Sequence, residues 1–516
     1  MRIRSIIRSV SFLALAALPL APVAAQQVAT AEVHGDQPGP RYHRQLFGQF
    51  AEHLGYGIYG GIWVGKDSRI PNIGGYRKDV LDALRELKVP VIRWPGGCFA
   101  DEYHWREGIG PQAKRPVKLN TNWGGVTEPN SFGTHEFMNF AELVGAQSYV
   151  SGNVGSSEPR EMAEWVEYMT SPTGSSLAKE RAANGRATPW KVEYFGIGNE
   201  LWGCGGNMRP EYAADITRRY STFLKLPAGS AKIASGANAD DYHWTEVMMR
   251  EAGNHINGIG VHYYTVPGTW DAKGSATQFD EAHYAQTIAK TLKMDELLTR
   301  HSAIMDKYDP KKDVALLVDE WGTWFDVEPG TNPGFLYQQN SVRDALVAAI
   351  NLNIFAAHAD RVRGANIAQM VNVLQAMILT KDDKMVRTPT YHVFDMYKAY
   401  QDATVLPVTL KSPWYNKEQS TVPAISASAV RDAQGAVHVG LANVDPNQAI
   451  TVKLTLDGVA ASSASGRVLT GPAITSINSF EQPNLVIPAA FSGATVNGNT
   501  LTVTMPPHAV VMLDLR

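Results

Sequence analysis

Two glutamates in this chain stand where an apolar run gives way to polar residues. The first is in Tyr194-Phe-Gly-Ile-Gly-Asn199-Glu200-Leu-Trp202, the second in Ala315-Leu-Leu-Val-Asp319-Glu320-Trp321-Gly322. Two carboxyl groups facing one cavity are what glycoside hydrolysis needs: one acid protonates the leaving oxygen, and one carboxylate attacks the sugar or activates water. Glu200 follows Asn199, whose amide is suited to a hydroxyl beside the anomeric carbon. That order makes Glu200 the acid/base and Glu320 the nucleophile. A lone strand-end glutamate equally well caps a helix or pairs with a rim lysine. The Asn-Glu and Asp-Glu-Trp contexts together favour chemistry.

These residues need a scaffold that brings strand ends together. Strand-like runs occur at 46–50, 89–94, 147–152, 192–197, 232–235, 256–262, 314–318 and 364–369. Amphipathic patterns lie between them at 76–88, 159–169, 209–224, 284–308 and 338–358. Alternating strands and helices predict a parallel sheet, and eight units fit an α/β fold of the (β/α)₈ TIM barrel type, whose site lies at the C-terminal strand ends. From about residue 400 short alternating runs at 425–430, 437–443, 450–456, 465–469, 500–505 and 509–515 predict a C-terminal antiparallel β-sandwich, jelly-roll-like, over 401–516. The barrel is assigned to 26–400, with 27–33 as a strand that joins the β module. The last strand is expected to be paired.

Composition agrees with a folded enzyme. Of 516 residues, 44% are hydrophobic and 19% charged, enough apolar surface for a large core. Forty-seven basic against 50 acidic residues leave a net charge of −3, with no basic excess for nucleic acid. At the start, Arg2, Arg4 and Arg8 precede a short apolar run and the small residues before Gln26, which reads as a signal peptide over 1–25 and an exported protein, periplasmic or secreted. The apolar run is shorter than the ~20 residues of a membrane span, so no membrane association is expected after its removal. No P-loop, G-x-G-x-x-G or Gly-x-Ser-x-Gly segment offers nucleotide or serine-hydrolase chemistry, and no cofactor is implied.

Six segments occur in an order that resembles glycoside hydrolase family 51. They are Phe47-Gly-Gln-Phe-Ala-Glu52-His53, Ile92-Arg93-Trp94-Pro95-Gly96-Gly97-Cys98, Gly196-Ile-Gly-Asn199-Glu200, Val261-His262-Tyr263-Tyr264, Asp319-Glu320-Trp321 and Ala368-Gln369-Met-Val-Asn-Val. The resemblance implies a retaining, exo-acting α-L-arabinofuranosidase that removes terminal arabinofuranosyl units from arabinan, arabinoxylan and their oligosaccharides. It assigns Glu200 as acid/base and Glu320 as nucleophile. It also places Glu52, Asn199, Arg93, Tyr264 and Gln369 around the sugar ring or the carboxylates, and Cys98 where family members carry Asn or Cys. A homo-oligomer, tetramer or hexamer, is implied as well. A β-glycanase or β-xylosidase on the same fold is the alternative, and a barrel that only binds carbohydrate is a more distant one.

Each of these residues also has a physical reading. Glu52 accepts bonds from hydroxyls or forms an ion pair. Arg93 pairs with a neighbouring carboxylate and favours its ionised form, supporting the site more than touching the sugar. Tyr264 either donates to the nucleophile or forms an aromatic wall, and Gln369 either binds sugar or bonds along the rim. His53 and His262 lack metal-ligand spacing, so packing or hydrogen bonding is expected of them, with no metal. Cys98 and Cys204 belong to the same rim, where they form a disulfide or where Cys98 meets the sugar. Trp63, Trp94, Trp105, Trp123, Trp202, Trp321 and Trp324 lie in or beside strand-end loops, where some rings suit the faces of sugars and others belong to the core.

Overall fold

The structure is a computed structural model that describes residues 27–172 and 174–516. The segment read as a signal peptide, 1–25, lies outside the described residues. Eight parallel strands close into a barrel: β1 (Gly48–Phe50), β2 (Val91–Trp94), β3 (Gln147–Gly152), β4 (Tyr194–Ile197), β5 (Ala231–Asn238), β6 (Gly258–Thr265), β7 (Ala315–Thr323) and β8 (Val362–Ile367). Closure is made by β8 against β1, with Asn366 opposite Gly48. Helices cover the outside, and their ends follow local rules. Lys78–Leu87 buries Val80, Leu81, Leu84 and Leu87 and stops at Lys88 in a left-handed conformation (φ 54°). Proline opens the helices Pro159–Thr170, Pro210–Phe223 and Pro389–Tyr397, where its missing N–H costs nothing. Among the described residues no helix is long and apolar enough to cross a membrane.

All eight expected strands are present, but three run further than their apolar stretches, β5 continuing from Ser235 to Asn238. β7 continues through Asp319 and Glu320 to Thr323, so Glu320 lies within the strand rather than after it. β6 likewise continues through His262 to Thr265, pairing His262 with Glu320. The polar side chains that end the apolar pattern do not end the strand, because ring closure keeps their backbone paired while the side chains bond to one another.

The C-terminal part is built on two large sheets and a two-stranded hairpin of Trp414–Lys417 and Ser420–Pro423. One has the order Val408–Lys411, Gln27–His34, Ile450–Asp457, Thr500–Met505, Ala494–Asn497. The other runs Thr404–Leu406, Ile425–Arg431, Val437–Asn443, Ala509–Leu515, Ala464–Leu469, Ala489–Phe491. The last strand is paired on both sides, to Val437–Asn443 and Ala464–Leu469. The N-terminal strand enters this unit parallel to Ile450–Asp457, with Ala31 opposite Leu454, so the module is not wholly antiparallel. Its alternation of buried Ala29, Ala31 and Val33 with exposed neighbours fits one covered face. Tyr284, on the helix after β6, donates to the carbonyl of Val444 at 2.6 Å and ties barrel to sheets.

Candidate active site

Loops at the C-terminal strand ends enclose a cavity of about 650 Å³, and Glu52, Glu200, His262, Tyr264, Glu320 and Gln369 all line it. β4 ends at Ile197, Gly198 turns at φ 74°, and Glu200 follows at φ 44°. A non-glycine residue there costs ~1–3 kcal/mol, strain of a kind that collects at functional sites. The turn presents the Glu200 carboxyl to the cavity. Burial raises its pKa above the ordinary value and Glu320 adds to this, while His262 and Arg93 pull the other way.

Glu320 is held from both sides. Arg93 Nη1 donates to Oε1 at 2.8 Å, and the Tyr264 hydroxyl donates to Oε2 at 2.8 Å. Tyr264 thus makes the hydrogen bond to Glu320 and also lines the cavity. Burial opposes the charge on Arg93, yet Glu320 and Asp319 hold its pKa above the ordinary value. Arg93 also donates to Asn199 Oδ1 and to the Asp319 carbonyl. It therefore ties β2, β4 and β7 together.

His262 hydrogen-bonds, the second of the two roles expected of it. Its Nδ1 lies 2.8 Å from Glu200 Oε1 and 3.5 Å from Glu320 Oε2, and its Nε2 lies 3.3 Å from Asp319 Oδ1. Burial lowers its pKa, but Glu320, Asp319 and Glu200 together push it up to about 10. Glu200, His262 and Glu320 bring one ligand atom each within 4.8 Å of one another, a spacing that suits a metal ion. Asp319, to which the sequence assigns no role of its own, takes the Tyr149 hydroxyl at 2.8 Å and has its pKa lowered by His262, Arg93 and Tyr149 against burial. Gly260 makes room for it, since a Cβ there would sit 2.4 Å from Oδ1.

Glu52 lies just after β1. Its Oε1 accepts from Trp123 Nε1 at 2.9 Å and from the backbone N–H groups of Gly97 and Phe99, and its Oε2 accepts from Gln369 Nε2 at 3.0 Å. Burial and Glu320 raise its pKa to about 7 in spite of these bonds. The ion-pair reading of Glu52 is not realised; its partners are neutral donors. A Cβ on Gly96 would fall 2.7 Å from Glu52 Cγ and one on Gly97 3.1 Å from Glu320 Oε1, so the Pro95-Gly96-Gly97 turn brings backbone against both carboxylates. Gln369 makes the rim bond to Glu52, while its Oε1 and the Asn199 Nδ2 are buried without a partner.

Asp101 was also missed. It is buried, accepts the N–H groups of Val154 and Gly155 on Oδ1, and accepts Asn199 N–H on Oδ2 at 2.8 Å. Nothing in its sequence context marks it, because its partners are backbone N–H groups 53 to 98 residues further along the chain.

Cys98 and Cys204 are bonded to each other, with Cα atoms 5.5 Å apart, and both line the cavity. Cys204 Sγ is 3.6 Å from Glu200 Oε2. His53 bonds Glu128 at 2.9 Å and accepts from Trp94 at 3.1 Å, as expected of a packed histidine. Of the tryptophans, Trp63, Trp94, Trp105 and Trp321 are core, whereas Trp123, Trp202 and Trp324 line the cavity. Trp270, absent from the sequence reading, lines it too, edge-on to Trp324 with centroids 4.9 Å apart.

Known proteins resemble this chain over nearly its whole length. Residues 83–284 match the Alpha-L-arabinofuranosidase 1 domain and residues 319–509 the Alpha-L-arabinofuranosidase C-terminal domain. An intracellular exo-alpha-L-arabinofuranosidase of Bacteroides ovatus is 53% identical over 96% of this chain and 97% of its own. The chain belongs to the α-L-arabinofuranosidases of glycoside hydrolase family 51. A family 51 arabinofuranosidase structure from Xanthomonas axonopodis pv. citri superposes with a TM-score of 0.94 at 61% identity, covering 95% of this chain and all of that one. An alpha-L-arabinofuranosidase from Thermotoga maritima, solved as an arabinose complex, gives 0.84 at 28% identity, with 94% and 99% covered. As a family 51 member the protein is a glycoside hydrolase, and the β-glycanase, β-xylosidase and non-catalytic alternatives are not favoured.

One expectation is overturned. The Bacteroides ovatus relative is named as intracellular, which contradicts the reading of this arabinofuranosidase as exported. Basic residues ahead of a short apolar run are a compositional pattern, and that pattern alone does not establish export.

Proposed function

We propose that this arabinofuranosidase is retaining and exo-acting, and removes terminal arabinofuranosyl units from arabinan, arabinoxylan and arabino-oligosaccharides. Glu320 attacks the anomeric carbon as the glycosidic C–O bond breaks, and Glu200 gives its proton to the leaving oxygen. Glu200 then takes a proton from water, which attacks the same carbon and releases Glu320.

The observation that carries the reading is the spacing of the pair. One oxygen of Glu200 and one of Glu320 lie within 4.8 Å of each other, with His262 between them. Retaining enzymes hold their carboxyl groups ~5–5.5 Å apart, whereas inverting ones leave ~6.5–9.5 Å for a water. The raised pKa of Glu200 fits an acid that must be protonated before the first step, and loss of the Glu320 charge in the covalent intermediate frees it to act as base in the second.

Asn199 Nδ2 and Gln369 Oε1, buried and unpartnered, supply a donor and an acceptor for sugar hydroxyls. Glu52 Oε2, which takes one bond from Gln369, has room to accept a sugar hydroxyl as well. The name of the Bacteroides ovatus relative supports exo action. The tetramer or hexamer implied by family membership is part of the proposal, and light scattering measures it directly. The deciding experiment follows an aryl α-L-arabinofuranoside by NMR. The first product should keep the anomeric configuration, and an inverted first product would overturn the mechanism.

A further inference from the structure

A second cleft, of about 810 Å³, opens at the same end of the barrel. Its walls come from the segments after β1, β7 and β8 and from residues 480 and 481, in the connection between the strands Ala464–Leu469 and Ala489–Phe491. Four aromatic rings line it. Tyr56 is 59% exposed and meets Phe335 edge-on, with centroids 5.2 Å apart; Tyr337 and Phe480 also line the cleft. One exposed ring and three half-buried ones gathered in a concavity mark a binding surface more than a structural need.

Only one layer of residues separates this cleft from the catalytic cavity. Leu54 and Leu336 face the catalytic cavity, while their chain neighbours Tyr56, Phe335 and Tyr337 face the second cleft. Phe335 seats on two glycines: a Cβ on Gly55 would lie 2.9 Å from its Cβ, and one on Gly124 2.7 Å from its Cε1. Trp123, next to Gly124, lines the catalytic cavity and donates to Glu52. The ridge is thus continuous with the groups around the sugar.

We propose that this cleft holds the main chain of an uncharged arabinose-bearing polysaccharide while a terminal unit occupies the site of Glu200 and Glu320. The inference rests on the arabinofuranosidase reading. Flat apolar rings suit the CH faces of neutral sugars. Asp382 and Glu481 against Lys381 leave the cleft with an acidic balance, which disfavours a uronate or phosphate polymer.

The test compares wild type with Tyr56→Ala and Phe480→Ala on an aryl arabinofuranoside and on soluble arabinoxylan and linear arabinan. The aryl substrate ends in one small ring and does not reach the cleft. On the polymer that wild type hydrolyses faster, kcat/KM should fall about tenfold, chiefly through KM, the scale of losing ~1.4 kcal/mol at a contact. On the aryl substrate it should stay within twofold. Equal losses on both substrates, no loss on either, or a wild type that cleaves aryl substrate but no polymer would overturn the inference. So would a change of mass by light scattering, which would make the cleft a contact between copies of the chain. Should Phe480→Ala fail to fold, Tyr56→Ser alters only an exposed ring and keeps the test open. A wild type inactive on the aryl arabinofuranoside would instead defeat the enzymatic reading itself.

Discussion

Nδ1 of His262 stands 2.8 Å from Oε1 of Glu200, and the same nitrogen is 3.5 Å from Oε2 of Glu320. One imidazole therefore addresses both carboxylates, and Asp319 on its far side helps to keep it charged. Through this contact the proton affinity of Glu200 depends on a residue of another strand.

His262→Gln should move the alkaline limb of kcat/KM to higher pH. The sign follows from the charge. An acid must be protonated to act, so activity is lost as pH rises through the pKa of Glu200. His262 lowers that pKa, and removing its charge lets burial and Glu320 raise it further. A pH-rate profile on an aryl arabinofuranoside reads the limb; no movement, or movement to lower pH, would show that His262 does not act through Glu200.

Glu200→Ala should retain the first step on substrates with good leaving groups and slow the second. General acid/base catalysis supplies ~10²–10⁴-fold, so turnover should fall within that range and azide should restore part of it as a glycosyl azide. Equal azide response in variant and wild type would remove Glu200 from the acid/base role.

Tyr264→Phe keeps the ring and removes the 2.8 Å bond to Glu320. Loss of a hydrogen bond to a charged group costs ~1.5–3 kcal/mol, so kcat should fall roughly 10- to 100-fold with little change in KM. If kcat held and only KM rose, the ring alone would be what matters and Tyr264 would be a wall.

The positions of Glu200, Glu320, Glu52 and Gln369 were legible because a barrel gathers strand ends and each follows or ends an apolar run. His262, Asp319 and Asp101 were not. Their partners lie far away in sequence: Asp101 meets Asn199, and Asp319 meets Tyr149. A histidine or aspartate inside a strand looks the same in sequence whether it packs or bridges two carboxylates. Strand ends were misjudged for the same reason, since the apolar pattern in β7 stops at Val318 while its pairing continues to Thr323. The parallel pairing of Gln27–His34 with Ile450–Asp457 joins segments over 400 residues apart, and no local pattern gives its direction.

The disulfide makes a stability prediction. Cys98 and Cys204 are 106 residues apart, and closing a loop of about 100 residues stabilises a fold by ~4–5 kcal/mol in the chain-entropy description. Replacing both by serine should lower the melting midpoint by several degrees in calorimetry, and a dithiol reductant should move wild type the same way. An unchanged midpoint in both would mean that the bridge does not form in solution.

Asp101→Asn tests whether the site depends on a residue that does not line its cavity. One carboxylate oxygen takes Val154 N–H at 2.7 Å and Gly155 N–H at 2.8 Å, and the other takes Asn199 N–H at 2.8 Å. An amide has only one acceptor oxygen, so its NH₂ must face either the first pair of donors or the backbone N–H of Asn199. Whichever way it turns, a buried donor loses its acceptor, a cost of ~1–3 kcal/mol. If the NH₂ faces Asn199, the backbone ahead of Glu200 shifts, and a small displacement of a positioned group costs rate far more than binding. The variant should therefore lose about 10-fold or more in kcat and also melt lower, whereas Asp101→Glu, which keeps two acceptor oxygens on a longer arm, should recover stability more than rate. A variant that melts lower but turns over at the wild-type kcat would leave Asp101 as a structural residue with no part in positioning Asn199 and Glu200.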